Sequence, residues 1–228
     1  MHEDSWFRSE PCQAHPIVSN LISDYVRYRA IEINLVVDLW ASSSYLLQPL
    51  AEKLNTPSSQ PVVAGISPAE HEDKVRTEDI GYLSPHPAGI TAEWFPNPDL
   101  VVGIPPRRWK PKRTKRLNND SQSVALTDDP ANIALIDACQ MLSPEGLGCF
   151  VVGPGLLMRP GPGTVMANLA KFGLFIDGIV VLPQGSTQPN IGAGQNLLVI
   201  SRTQRTPQVL GRLSPECPNL KDIIKTSV

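Results

Sequence analysis

The sequence lacks most of what would mark a metal site, a membrane anchor or a polyanion-binding surface. Its four cysteines, Cys12, Cys139, Cys149 and Cys217, are scattered without the close pairs from which zinc sites are built. Cys139 and Cys149 fall in apolar segments and read as packing residues, so the set is expected to be reduced thiols of a cytoplasmic protein. The four histidines, His2, His15, His71 and His86, stand in polar or proline-rich surroundings with neither HxH nor HxxxH spacing, which reads as surface rather than ligand. No apolar run approaches the roughly 18 residues of a membrane-crossing helix, so no membrane partner is expected. The opening "MHEDSWFRSEPCQAHP" has neither the basic start nor the apolar centre of a secretory signal. An excess of one charge is missing too. Twenty Lys and Arg against 22 Asp and Glu leave a net charge of −2, so any nucleic-acid contact must come from a local patch.

Common catalytic signatures are also absent. "GPGLLMRPGPG" lacks the Lys-Ser or Lys-Thr ending of a phosphate loop, and its prolines remove amide donors, so it reads as a turn. "PNIGAGQN" carries Gly192 and Gly194 but no third glycine opening a helix. Asp137 and Glu145 read as helix-surface carboxylates with no partner, and no Ser, His and acid arrangement stands out.

Proline, in contrast, is plentiful: 23 in 228 residues is roughly double the usual share of about 5%, and predicts stiff, numerous loops. The length suits one domain over 1–228, with a core over about 33–202. Residues 1–32 read as an N-terminal helical extension and 203–228 as a Pro-rich tail, with the Pro-rich ends, 1–16 and 203–228, as docking arms for a protein partner.

Apolar periodicity alternates between that of strand and that of helix along the chain. Ile17, Leu21, Ile22, Tyr25 and Tyr28 predict an opening helix. "INLVVDLW" predicts a buried strand, and "SSSYLLQPLAEKL" a helix through Leu46, Leu47, Leu50 and Leu54 with serines placed to cap it. "PVVAGIS" is a second strand, "PAEHEDKVR" a short helix and "EDIGYLS" a poorer third strand. "DLVVGI" is the fourth. "DPANIALIDACQMLSPEGLG" is a helix whose apolar face is Ile133, Leu135, Ile136, Cys139 and Leu142. "CFVVG", "IDGIVVLP" and "QNLLVISR" are three more strands, with "GTVMANLAKFG" a helix among them. This order predicts a three-layer α/β sandwich with right-handed crossovers and a mostly parallel seven-stranded sheet.

The fourth strand ends abruptly on Ile104, Pro105 and Pro106, followed by Arg107, Arg108 and Trp109. Prolines cannot donate to a ladder, so the corner sits at a strand's carboxyl end, where open α/β sheets bind ligands. From Arg107 to Arg116, "RRWKPKRTKR" packs seven cations into ten residues: Arg107, Arg108, Lys110, Lys112, Arg113, Lys115 and Arg116. Such a run is commonly a solvated loop. Its functional reading is phosphate contact with DNA, with Trp109 placed to stack on a base.

Over about residues 33–202 the chain resembles the N6-adenine DNA methyltransferases, in particular the modification subunits of type I restriction systems. The most specific stretch runs from "ALIDACQ" through "DGIVVLPQG" to "NLLVISR". The resemblance implies a Rossmann-like S-adenosylmethionine-dependent methyltransferase fold. It places "IPPRRW" on the family's N-P-P-[YF] motif, where an Asn side chain and a backbone carbonyl accept hydrogen bonds from the adenine amino group and an aromatic ring stacks on the flipped base. Here Ile104 replaces the acceptor and Arg107 the stacker, while Pro105 and Pro106 are kept. Only Trp109 is near enough to take over stacking.

The family's cofactor motif D-P-x-C-G-S-G falls on "DLWASSS", matching Asp38 and setting Ala41, Ser42 and Ser44 where the family has Cys, Gly and Gly. Each added Cβ narrows the cofactor's space. Ser67 stands where an acidic residue would hold ribose hydroxyls. These departures leave three functions open: a methyltransferase-like module that no longer methylates and acts in binding or assembly; an active adenine-N6 enzyme with divergent motifs; or a structural subunit of a restriction-modification-like complex. S-adenosylmethionine is the implied cofactor of the second, and no cofactor is required by the others.

Overall fold

Neighbouring residues of the central strands enter two different cores, and this makes the protein three layers thick. Val36 and Val37, Val101 and Val102, Val151 and Val152, and Leu198 and Val199 bury against opposite sets of helices, because successive side chains leave a strand on opposite faces. The computed structural model describes residues 13–38, 46–56, 60–66, 80–83, 97–104, 116–119, 122–125, 135–136, 138–158, 169–188 and 194–226. Along them run β1 (Gln13–Ala14), α1 (Pro16–Tyr28), β2 (Leu35–Asp38), α2 (Leu47–Leu54), β3 (Val62–Ile66), β4 (Ile80–Leu83) and β5 (Leu100–Gly103). There follow β6 (Arg116–Asn119), β7 (Gln122–Ala125), β8 (Leu147–Val152), α3 (Pro154–Met158), β9 (Phe175–Val181) and β10 (Thr187–Gln188). β11 (Asn196–Ser201), β12 (Val209–Arg212) and α4 (Leu220–Thr226) complete the chain.

The main sheet has the order β12-β9-β11-β8-β5-β2-β3-β4. β11 is antiparallel to both of its neighbours, and all the other pairings are parallel. The chain winds outward from β2 to β3 and β4, then crosses back to β5 on the other side of β2. That reversal is a topological switch point, and it puts the carboxyl ends of β2 and β5 side by side. All seven expected strands are present and the α/β class stands, but among the described residues the sheet has eight strands. The eighth, β12, comes from the segment expected to be a tail; it adds parallel to β9, and α4 packs on it so closely that a Cβ at Gly211 would collide with Ile223.

Local chemistry explains the helices. α1 has Pro16 at its first position, and the His15 Nδ1 accepts a 3.2 Å hydrogen bond from the Ile17 N–H as its cap. Its buried stripe is Val18, Leu21, Ile22, Tyr25 and Val26. It stops where Ala30 takes φ +52° and the Ile31 N–H returns to the Val26 carbonyl. Tyr28, expected on the apolar face, is 36% exposed and carries the Arg29 guanidinium over its ring at 4.8 Å. α2 starts at Leu47, with Leu46 at its cap position making no side-chain hydrogen bond; the serines expected to cap it lie outside the described residues. "GPGLLM", expected as a turn, contains the five-residue α3, with Pro154 supplying a preset φ at its start. Residues 169–172 form a 3-10 turn ended by Gly173 at φ +64° where a helix end was expected. The expected helices over 68–76 and 163–168 lie outside the described residues, as does Ile133. Leu135, Ile136, Cys139 and Leu142 are buried as expected.

Polar anchors hold the layers in place. The Tyr25 hydroxyl donates to the Asp177 carbonyl at 2.8 Å, and the Arg29 Nε donates to the fully buried Asp177 carboxylate at 2.9 Å. A second Arg29 nitrogen reaches the Pro207 carbonyl at 2.8 Å, so α1 ties β9 to the approach of β12. Burial, with the Asp177 charge behind it, pushes the Tyr25 phenol well above its ordinary range. Burial likewise raises the Cys139 and Cys149 thiols, which are free, packed and unreactive in kind. Glu145, read from the sequence as partnerless, accepts from Arg205 at 3.0 Å and from the Thr203 hydroxyl at 3.2 Å; Asp137 lies outside the described residues.

At the amino ends of the central strands the Asp99 carboxylate accepts from the Asn34 and Leu35 N–H groups at 2.9 and 3.2 Å and from the Ser143 hydroxyl at 3.1 Å. Its backbone donates to the Leu35 carbonyl and accepts from the Leu147 N–H. Asp99→Ala is expected to cost about 2–3 kcal/mol in urea unfolding with an unchanged m value, because three accepted hydrogen bonds are lost and only the exposed Asn34 N–H is readily resolvated.

Candidate functional site

β2 and β5 deliver the candidate site. Asp38 is the last residue of β2, only 3% exposed, and it lies opposite Gly65 of β3 and Val102 of β5. Gly103 and Ile104 therefore extend one step beyond it on the adjacent strand. Two of the residues singled out from the sequence, Asp38 and Ile104, thus meet at the switch point. The Asp38 carboxylate is buried at the end of β2 and engaged in an interaction of its own. Ile104 offers no side-chain acceptor: half-buried, it packs against the core on the α1 and α2 side.

Gly103 went unnoticed in the sequence. It is buried and has φ +151°, a region that side-chain-bearing residues rarely adopt. Its freedom sets the direction in which the chain leaves β5 toward the Pro-Pro corner.

Further along the same edge, β8 ends at Val152, and β11, running the opposite way, begins there: Asn196 is paired with Val152. Gly194, at φ +83°, sits within 3.7 Å of Pro154 for any added Cβ, ordinary contact that places the start of β11 against the end of β8. Beside it lie buried polar side chains, Ser186, Thr187, Gln195 and Asn196, at 2%, 0%, 4% and 6% exposure. The Gln195 Nε2 donates to the Thr187 Oγ1, the Asn196 Nδ2 to the Gly194 carbonyl at 3.2 Å, and the Ser186 hydroxyl to the Pro183 carbonyl at 2.8 Å. The sequence signal for this cluster was a Gln-Asn pair just before an apolar strand, which is too common a pattern to stand out.

Pro105, Pro106, Arg107, Arg108, Trp109, Lys110, Lys112, Arg113 and Lys115 lie outside the described residues, as do Ala41, Ser42, Ser44 and Ser67. Arg116 opens β6, opposite Ala125 of β7 in a two-stranded hairpin of its own. The segment 105–115 thus begins at the carboxyl edge and ends at this hairpin.

Comparisons with solved structures identify this architecture as the S-adenosylmethionine-dependent methyltransferase fold. A Listeria monocytogenes protein assigned to the class I S-adenosylmethionine-dependent methyltransferases superposes with a TM-score of 0.69 at 13% identity, over 94% of this chain and 70% of its own. The type I restriction-modification methyltransferase subunit of Streptococcus thermophilus follows at 0.62 and 16%, over 96% of this chain and 52% of its own. A Vibrio vulnificus protein assigned as the modification subunit of a type I restriction enzyme gives 0.59 and 14%, over 98% and 53%. The chain therefore spans about half the length of the two subunits. Its sequence matches no protein-family model and no curated protein.

Gly103→Ala is expected to lower stability by about 1–3 kcal/mol through strain at its backbone angle, read as a lower urea midpoint. Val102→Ala, a plain deletion beside it, serves as the control for lost packing.

Proposed function

We propose that this chain is a methyltransferase-fold module that binds nucleic acid or a partner subunit at the carboxyl edge of its sheet and does not itself transfer methyl groups. The observation that carries the reading is the seat of Ile104. The first residue beyond β5 is committed to the core, so no side-chain acceptor is presented where a substrate amino group would have to be held in line. Misplacement at a reacting centre is worth about a hundredfold in rate or more, and loss of a holding group acts in the same direction.

The described residues do not make a cradle for S-adenosylmethionine. Asp38 is the one described polar side chain among those implicated in cofactor binding, and at 3% exposure it is turned away from solvent. The sequence puts Ser42 and Ser44 in the two glycine places of that loop. No step is therefore assigned to the cofactor. The seven cations between Arg107 and Arg116 follow directly on this edge and supply phosphate contacts that hold register without reading sequence.

Calorimetric titration with S-adenosylmethionine and its demethylated product is expected to give no saturable heat at millimolar ligand. Binding near micromolar, with adenine methylation by the wild-type chain, would restore the enzyme reading. Duplex DNA binding, followed by fluorescence anisotropy from 50 to 200 mM salt, is expected to be insensitive to sequence. Replacing Lys110, Lys112 and Lys115 with Ala should flatten the log K against log salt slope by about 1 per cation removed. A wild-type chain with no DNA affinity, but with a protein partner that competes for the edge, would leave the structural-subunit reading.

A further inference from the structure

The layer of helices on the α1 side of the sheet carries a cavity of its own. It measures about 270 Å³ and lies between α1, the last turn of α2 and the residues leading from β12 into α4. Ile17, Leu213 and Pro218 give it an apolar wall, and Asn20, Ser23 and Arg27 a polar one. These three polar residues stand at i, i+3 and i+7 on α1, so successive turns present them to the same side of the helix.

Ser23 is the residue in that row whose chemistry is unfinished. A serine inside a helix commonly returns its hydroxyl to a carbonyl three or four residues back, and Ser19 does so, donating to the Pro16 carbonyl at 2.9 Å. The Ser23 hydroxyl is wholly buried and makes no hydrogen bond. It thereby forgoes a bond that water supplies in the unfolded chain, where buried polar groups of native proteins are otherwise satisfied. Its neighbour on the open side is the cavity itself.

The charge around the cavity points to the kind of ligand. Arg27 is engaged at both ends of its fork: Nη1 reaches the Asp24 carboxylate at 3.4 Å, and Nη2 donates to the Lys53 carbonyl at 2.9 Å. The second bond sets the end of α2 against α1 and brings Lys53 to the cavity. Among the described residues no carboxylate pairs with the Lys53 ammonium. With Asp24 balanced by Arg27, Lys53 leaves the cavity positive.

We propose that this cavity binds a small carboxylic acid with an apolar body. The carboxylate lies by Lys53 and accepts the Ser23 hydroxyl proton, and the body lies along Ile17, Leu213 and Pro218. An apolar wall with a few convergent polar groups is the usual make-up of a small-molecule site, and a volume just under the common range of about 300–1,000 Å³ restricts the ligand to a small one. The site stands apart from the carboxyl edge, and neither reading depends on the other. Because the ligand touches α1, α2 and the approach to α4 together, its binding stabilises their docking.

Benzoate and its neutral isostere benzamide test this on the full chain, by amide chemical-shift titration at low salt and by thermal melting. Benzoate should give saturable shifts at Asn20, Ser23, Lys53 and Asn219, raise the melting temperature, and bind about tenfold more tightly than benzamide. Lys53→Gln should bring the two affinities to within about twofold. Ser23→Ala removes a hydroxyl that has no partner, so it should melt at or above the wild type while weakening benzoate about fivefold. A Ser23→Ala variant that melts lower and binds benzoate unchanged would make Ser23 a structural residue and overturn the inference. Equal affinity of the wild type for both probes would leave only apolar filling and overturn it too, as would the absence of saturable shifts at the cavity with millimolar benzoate.

Discussion

Beneath the three strands that carry the candidate site sits one carboxylate, that of Asp99. Its oxygens collect the chain entering β2 and the turn before β8, while its own backbone bridges Leu35 on one side and Leu147 on the other. Parallel strands have no hairpin to fix their register, so it must be fixed by contacts at their ends. With the amino ends pinned in this way, rise per residue alone determines where the carboxyl ends emerge. Asp38 of β2, Val102 of β5 and Cys149 of β8 come out level because Asp99 starts those strands level. Gly146 belongs to the same arrangement: a Cβ there would stand 3.0 Å from the Pro98 carbonyl oxygen and from the Ser143 Oγ.

The most legible strands, β2, β5, β8 and β11, are buried along nearly their whole length, and their near-continuous apolar runs have no other comfortable place in a folded core. β12 was hidden for the opposite reason. "VLGR" is short, its Leu210 is 53% exposed, and it follows Pro207 in a stretch whose composition suggests a loop. Helix ends were less legible than helix cores, since capping at Leu46 and the stop at Ala30 depend on backbone angles that residue type only biases. At the site, the Pro-Pro corner gave away the strand end, because no other residue so firmly forbids a ladder. Gly103 escaped notice because a positive φ exists only after folding. Arg205 and Glu145 met across 60 residues for the same reason.

At 13–16% identity the solved structures share this fold, while most of the residues that build it differ. The physical division is plain in this chain. Residues on the two inner faces are held by packing against many neighbours, so volume and apolarity suffice to keep them. At the carboxyl edge that packing ends, and residue type there is set by other demands. In β5, Val101 and Val102 serve opposite cores, and Ile104 just beyond the strand still packs against one of them.

The last feature concerns solubility rather than recognition. β9 reads "FIDGIVV", a stretch of high strand propensity that, as the outermost strand, would offer its amide and carbonyl row to any similar segment of another molecule. β12 takes up that row, and α4 and the Arg29 contact to Pro207 hold it there. β12 therefore covers the β9 edge, and a copy shortened before Val209 would leave that row of amides and carbonyls unpaired.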